Sequence, residues 1–391
     1  MSCNARGLLC FRPEVVAIGL VVSDVARWIE KLAPRQLAET WDSVGLQVGD
    51  GDAPVQRVMT VLTVTQDVVR QARELEIDLI VAHHPLLFRP LTQVSPRTRT
   101  GSILTALIKE GIALYVAHTN LDAAPGGVND GLARRLGLED LQPLVPKARS
   151  RQYKLVTFVP VDHERTVMEA MAQAGAGLIG AYSHCSFGVK GYGTFKPLAG
   201  ANPFVGEVGE LERVEETRLE MLVDDERVSR VVQALLRAHP YEEVAYDLYP
   251  VEPVKKEAGI GRVGSLSRPL TTIEAISLVK KALGVKSVRV AGAMRERVQK
   301  IAVVGGSGGS FVQAAAQCGA ELLVTGDVDY HDADEARFLG LMVIDAGHFG
   351  TERHVPNDLK SYLESQALEH REALSVFMAE ESDAFWADGD E

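Results

Sequence analysis

The sequence predicts an α/β protein: a discontinuous core with a mostly parallel sheet, interrupted by an inserted ferredoxin-like α+β domain. Three observations predict it. From residue 55 to 138 short aliphatic runs alternate with amphipathic stretches, the grammar of strand–helix–strand units. The same grammar returns from residue 298 to 368. Between them the chain reads strand–helix–strand twice over, the ferredoxin-like plan. At 391 residues the chain is also long for a single core, so two domains are expected. The expected boundaries are 1–150 with 255–378 for the core, 151–254 for the insert, and an acidic tail at 379–391.

Each element has its own warrant. "SDVARWIEKLAP" reads as a helix capped by Ser23 or Asp24 and stopped by Pro34; the residues before about 22 read as a disordered leader without a signal-peptide pattern. In the first half, "VQRVMTVLTV", "IDLIVAH" and "IALYVAH" are strands, and "TQDVVRQARELE", "TGSILTALIKEG" and "GGVNDGLARRLGL" are helices. In the second, "VQKIAVVGG", "AELLVTGD" and "LMVIDAGH" are strands, with helices "SFVQAAAQCG", "YHDADEARFLG" and "PNDLKSYLESQAL". In the insert, "YKLVTFVPV", "LIGAYSHCSFGV", "GYGTFKPL", "TRLEMLVD" and "VAYDLYPV" read as strands around helices "HERTVMEAMAQAG" and "ERVSRVVQALLRAH". Polar, proline-bearing linkers flank it.

Composition excludes several classes. A net charge of −12 repels phosphate backbones and anionic lipid, so neither general nucleic-acid nor membrane binding is expected. No apolar run reaches the ~18 residues of a spanning helix. The four cysteines (Cys3, Cys10, Cys185, Cys318) have no CxxC spacing and read as free thiols of a reducing, cytoplasmic compartment.

The chemistry gathers at strand ends. "LIVA" runs into His83 and His84, with Pro85 holding the second in extended or turn backbone. Neighbours on a strand face opposite ways, so the two imidazoles must fan apart. "IALYV" ends near His118, with Asp122 just beyond. "LLVTG" ends at Asp327, followed by Tyr330 and His331. "LMVI" ends at Asp345 and His348, with Glu352 four residues on. In open α/β sheets ligands bind outside the carboxyl ends of the strands. Imidazole and carboxylate donors suit Zn²⁺, Mn²⁺ and Fe²⁺ when thiolates are absent. A bridging carboxylate holds paired cations ~3.5–4 Å apart, and Asp122 is placed between His83 and His84. Each residue alone also has an ordinary reading: a hydrogen-bonded histidine, a surface Glu352–Arg353 pair, an Asx-turn at Asp122. "VVGGSGGSF" lacks the Walker lysine and the GxGxxG order; a tight turn needing positive φ is preferred there to an anion cradle. Trp41 and Asp42 read as a local anchor for the first helix, with a substrate-facing role as the alternative.

These residues carry a resemblance. "LAPRQLAETWDSVGLQVGD", "VAHHPLLF", "VAHTNLDAAPGGVNDGLARRLGL" and "TGDVDYH…IDAGHFGTE" resemble the Nif-three-like family, also called the GTP cyclohydrolase I type 2 family, over about residues 22–377. The resemblance implies a dinuclear centre of two divalent cations per chain (Zn, Fe or Mn) with ligands His83, His84, Asp122, His348 and Glu352. "AYSHCSF", "ANPFVGEVGELERVEE" and "AHPYEEVAYDLYPV" resemble the CutA-like or PII-like insert of the longer members; His184 and His239 in these segments read as packing or interface hydrogen-bonding residues in preference to metal ligands. The family implies a toroidal homohexamer and a small-molecule substrate, possibly a nucleotide, with hydrolytic opening of the GTP imidazole ring. His118 is the first candidate for general acid–base work and His331 the second. A phosphoester hydrolase and a non-enzymatic metal-delivery or partner-binding protein are the competing readings.

Overall fold

The computed structural model describes residues 19–147, 152–180, 182–251 and 258–383. The expected leader, most of both linkers and the last residues of the tail lie outside these. The chain divides into two compact units, Met1–Val145 with Gly259–Glu391, and Pro146–Ala258. Among the described residues no helix is long and apolar enough to cross a membrane.

The first half of the larger unit runs α1 (Val22–Leu32), β1 (Gly45–Val48), β2 (Arg57–Val61), α2 (Gln66–Glu74), β3 (Leu79–Ala82), α3 (Arg99–Glu110), β4 (Ala113–Val116), α4 (Thr119–Ala123), α5 (Val128–Arg135) and β5 (Glu139–Pro146). The insert runs β6 (Gln152–Pro160), α6 (Glu164–Gln173), β7 (Ser186–Phe195), β8 (Glu212–Asp224), α7 (Val228–Ala238) and β9 (Tyr246–Val251). The chain then continues with β10 (Gly259–Thr271), α8 (Thr272–Leu283), β11 (Arg289–Gly292), β12 (Arg297–Ser307), α9 (Val312–Gln317), β13 (Leu322–Gly326), α10 (Tyr330–Phe338), β14 (Met342–Asp345), α11 (His348–Glu352), α12 (Val355–His370) and β15 (Ser375–Met378).

The larger unit holds two sheets where one mostly parallel sheet was expected. The first has order β1-β4-β3-β2-β15, the second β11-β14-β13-β12-β10-β5. In each a parallel centre, β4-β3-β2-β15 or β12-β13-β14, carries antiparallel neighbours at its edge. Hydrophobic periodicity marks strands but not which strands pair, so two βα runs look alike whether they share a sheet or not. Every residue of β3, β4, β13 and β14 is buried, as strands covered on both faces require. On the first sheet, α1 and α12 pack on one face through Val25, Ile29, Leu359 and Leu363. The other face is covered by α2 and α3 through Val68, Ala72, Ile103 and Leu107. On the second sheet α5 and α8 cover one face and α9 and α10 the other.

Three local expectations need correction. The N-cap of α1 is Val21, two residues before Ser23 and three before Asp24: the Asp24 carboxylate reaches back to Val21 N (2.9 Å), and Ser23 Oγ donates to Gly51 O (2.8 Å). The expected tail is docked at its start. Ala379 N bonds Thr60 O (3.1 Å) beyond β15, and the Glu381 carboxylate accepts from Leu62 N (2.6 Å) and Thr63 N (2.9 Å). The two strands expected at 178–198 are one, β7, paired without a break from Ser186↔Met221 to Phe195↔Glu212. Its glycines mimic a turn in sequence but are spaced along a ladder.

In the insert the order β7-β8-β6-β9 joins βαβ to βαβ in one antiparallel sheet. Leu155, Val159, Leu219 and Met221 bury one face under α6 and α7. Cys185 and Cys318 are free thiols. His239 is buried and bonds Phe158 O (3.0 Å).

Candidate metal centre

Both parallel centres of the larger unit deliver their carboxyl ends to one place. β3 ends at Ala82, and His83 N and His84 N still bond Val61 O (3.1 Å) and Leu62 O (2.8 Å). The two rings then fan apart, with centroids 5.1 Å apart and planes 42° from each other. β4 leads to His118, which precedes α4, and Asp122 N bonds His118 O one turn later (3.0 Å). From the second sheet, β14 leads through Gly347 (φ +78°) into α11. There His348 and Glu352, at i and i+4, share a face.

The five residues His83, His84, Asp122, His348 and Glu352 come together, drawn from segments 265 or more residues apart in the extreme (His83 and Glu352 differ by 269 positions). Glu352 is the centre of the cluster. Its Oε2 lies 3.0 Å from His84 Nε2 and 3.2 Å from His348 Nε2, while Oε1 lies 3.8 Å from His83 Nε2. His84 Nε2 and His348 Nε2 are 3.3 Å apart. Asp122 Oδ1 lies 3.6 Å from His83 Nε2. The carboxylate within reach of all three histidines is therefore Glu352, where Asp122 was expected between His83 and His84; Asp122 approaches His83 Nε2.

Each ring is anchored by its outer nitrogen. His83 Nδ1 donates to Ala117 O (2.8 Å), His84 Nδ1 meets Thr63 Oγ1 (2.7 Å), and His348 Nδ1 meets Asp327 Oδ2 (2.7 Å). His118 Nδ1 sits 3.0 Å from both oxygens of Asp42, whose carboxylate also accepts from Thr119 N (3.0 Å) and Thr119 Oγ1 (2.5 Å). This is the outer-shell pattern that fixes ring orientation at metal sites. Two sets of donor atoms lie within 4.8 Å of one another: His83, His84, Glu352 and His83, His118, Asp122. Fit to a cation is tested by polar atoms that nothing in the chain satisfies. His83 Nε2 and Asp122 Oδ1 are buried without a hydrogen-bond partner, a cost of ~1–3 kcal/mol each if nothing else binds there. The residues fit.

Charge in the cluster is strongly mutual. Burial disfavours the His83 imidazolium, but the Glu352 and Asp122 carboxylates outweigh it and push His83 up to about 9. Glu352, with Asp327 in support, raises His348 to about 9 against burial. Burial lifts Asp122 to about 6 and lowers His84. Glu352 is held well below the ordinary carboxylate range by the three imidazoles, against burial. Asp42 is pulled down to about 2 by His118 and Thr119, although burial opposes it. Protons on these imidazoles would compete with a cation for the same nitrogen atoms. Metal affinity is expected to rise with pH, about tenfold per unit for each imidazolium displaced, and to level above about 9. Calorimetry of metal binding in buffers of different ionisation enthalpy reads the released protons directly.

The remaining candidates sort clearly. His331 lies exposed on the first turn of α10, edge-on to Tyr330 (5.7 Å between centroids), and the cluster's hydrogen bonds among the described residues do not include it. Asp345 holds the turn before α11: it accepts from Val328 N (3.2 Å) and Gly347 N (2.9 Å) and pairs with Arg289. The expected tight turn at the glycine stretch needs correction: Gly305 and Gly306 lie in β12, where its register with β13 shifts, and the turn follows only at Gly309–Phe311. Gly306 has φ +65°, its amide is bonded to Thr351 Oγ1 and that of Gly305 to Asn129 Oδ1 (2.9 Å each), so neither faces an anion. A Cβ on Gly306 would stand 2.3 Å from Glu352 Oε1. Sequence reasoning missed the role of Asp42. Its partner His118 lies 76 positions away, and no local spacing encodes that contact.

The chain is similar to known proteins over most of its length. The family described as Duf34/NIF3 (NGG1p interacting factor 3) matches residues 20–384. A GTP cyclohydrolase 1 type 2 homolog of Halalkalibacterium halodurans is 44% identical over 340 residues, covering 87% of this chain and 91% of that one. One of Bacillus subtilis is 42% identical over 356 residues, covering 91% and 95%. Among solved structures, the Bacillus cereus protein related to NIF3 superposes with a TM-score of 0.76 at 38% identity, covering 94% of this chain and 99% of that one. The Staphylococcus aureus protein SA1388 gives 0.80 at 28% identity, covering 95% and 99%.

Proposed function

The chain belongs to the Duf34/NIF3 family, and from that premise we propose that it is a metal-dependent hydrolase that holds two divalent cations, zinc, iron or manganese, and acts on a small-molecule substrate. The observation that carries this is the facing pair of unsatisfied buried atoms, His83 Nε2 and Asp122 Oδ1, inside a ring of imidazoles anchored from outside. Glu352 offers one oxygen to each side of the cluster. His84 and His348 share its Oε2 side; His83 and Asp122 lie toward Oε1. When bound, two such cations supply Lewis acidity and water ionised near neutral pH.

The protein's own contribution is orientation and proton movement. His118 is the proton carrier in this reading. Asp42 fixes its Nδ1, leaving Nε2 to exchange protons beside His83 and Asp122. The exposed indole of Trp41 stands edge-on to the His118 ring (6.4 Å), at the open side where a substrate enters. Asp42→Asn is expected to lower turnover by roughly 10²-fold, within the usual range for a general acid–base, with metal content intact. Metal loss instead would make His118 a ligand.

The name of the relatives, GTP cyclohydrolase 1 type 2 homolog, makes GTP the substrate to test first, with hydrolytic opening of its imidazole ring. Protein loaded with Mn²⁺, Zn²⁺ or Fe²⁺ is incubated with GTP and formate is followed; the expected result is formate from the wild type and none from a His83→Ala/Glu352→Ala variant. No product under any loading, with tight metal binding retained, contradicts the hydrolase reading and favours a metal-delivery protein. For assembly we propose a toroidal homohexamer built through a CutA/PII-like insert. Its support is the insert's exposed apolar side chains, among them Phe187, Tyr182 and Leu211, of the kind that mark interaction surfaces when they are contiguous. Light scattering should read six times the 42.4 kDa chain.

A further inference from the structure

A second concavity lies wholly within the insert, on the sheet face that α6 and α7 leave open. On β8, Thr217 turns toward α6, where its Oγ1 donates to Glu164 Oε2 (2.8 Å). Glu216 and Arg218 therefore face the opposite way. β7 places Gly191 directly across from Glu216. Nothing stands within 4 Å of where a Gly191 Cβ would be, and a Cβ on Gly193 would come 2.2 Å from Glu216 Oε2. The glycines clear the floor for that carboxylate.

The cavity has a volume of about 680 Å³, within the ~300–1,000 Å³ usual for small-molecule sites. Its walls are aromatic: Phe158 from β6, Phe195 from β7, Phe204 from the loop after it, and Tyr241 after α7. Phe195 and Phe204 stand 6.0 and 6.2 Å from Tyr241, centroid to centroid. Glu216 is only 7% exposed. Its Oε1 accepts from Tyr241 Oη (2.8 Å), and among the described residues no Lys, Arg or His pairs with it. Arg218, the basic group beside it, is committed to Glu220 (3.0 Å); Lys196 is exposed at the mouth.

A buried carboxylate without a counter-charge, enclosed by ring faces, matches one ligand chemistry. Aromatic faces attract cations through their quadrupoles, most strongly where water is excluded, and a buried charge needs a partner. A metal ion would want several oxygen or nitrogen donors, which these walls lack. We propose that this cavity binds an organic ammonium ion, with Glu216 as counter-ion and Phe195, Phe204 and Tyr241 as the cage. The site is independent of the metal centre.

Calorimetry on the full-length protein with choline, putrescine and the uncharged carbon analogue of choline, in which a tert-butyl group replaces trimethylammonium, tests this. At least one ammonium ion is expected to bind saturably, one per chain, with about a tenfold or greater preference over the neutral analogue for choline. Glu216→Gln should erase that preference. Phe204→Leu, on the exposed loop, should weaken binding several-fold without touching the carboxylate, and serves if the first variant does not fold. No saturable binding by either cation overturns the proposal. So does equal binding of the neutral analogue, an unaffected Glu216→Gln protein, or a neighbouring copy's side chain filling the cavity in a crystal of the assembled protein.

Discussion

Glu352→Ala is expected to yield protein purified with little or no bound metal, and wild-type protein about two ions per chain under the proposed function. Glu352 is the carboxylate that His83, His84 and His348 share, so its loss disrupts both sides of the cluster at once. The loss in affinity should exceed the ~10–100-fold that outer-shell changes cost. Removing a carboxylate that is 3% exposed also leaves the His83 and His348 imidazolium ions without their main counter-charge. Stripping one partner from a buried charge pair costs about 3–5 kcal/mol. A chelator-treated comparison separates the two effects. Metal analysis by mass spectrometry reads the first, and denaturant unfolding of both metal-free proteins reads the second. Metal retained at wild-type level in Glu352→Ala contradicts the assignment.

Gly306→Ala is expected to destabilise the protein and to disturb the cluster of candidate ligands at once. Two costs add. The backbone there is left-handed at φ +65°, which a Cβ penalises by about 1–2 kcal/mol. The new Cβ also falls 2.3 Å from Glu352 Oε1 and 3.1 Å from His348 Nε2, and overpacking of this kind costs about 1–3 kcal/mol. The expected sum is about 2–5 kcal/mol of stability, together with displaced ligands and weakened metal binding. Gly137→Ala is the control. It also has positive φ (+70°), but nothing stands within 4 Å of its Cβ position, so it should carry the backbone cost alone and leave metal content unchanged. Equal effects of the two substitutions would show that the glycine at 306 serves the backbone conformation and not the site.

Much of this centre was legible from the order of residues. His83 and His84 follow four aliphatics that are all buried, and a strand that is covered on both faces must release its polar groups at its end. His348 and Glu352 announce themselves by helical spacing, and α11 provides the turn of helix that spacing needs. What the order could not show is which carboxylate lies in the middle. That depends on how the second sheet approaches the first, and periodicity carries no information about it. Asp42 was hidden for the same reason: its four contacts with His118 and Thr119 cross 76 and 77 positions. The strands β1 and β15, four residues each, are too short to display an alternation, so neither was read as a strand, although β15 lies within the expected core and adds a parallel edge to β2. The glycine stretch was read as a turn, yet its closeness to Glu352 explains why glycine stands there at all.

The most direct measurement is anomalous X-ray scattering from a crystal of the metal-loaded protein, collected above and below the absorption edge of the loaded ion. Two peaks on either side of the Glu352 carboxylate, one beside His84 and His348 and the other beside His83 and Asp122, are the predicted result. A map with no peak within bonding reach of those side chains, at full metal loading, would contradict it.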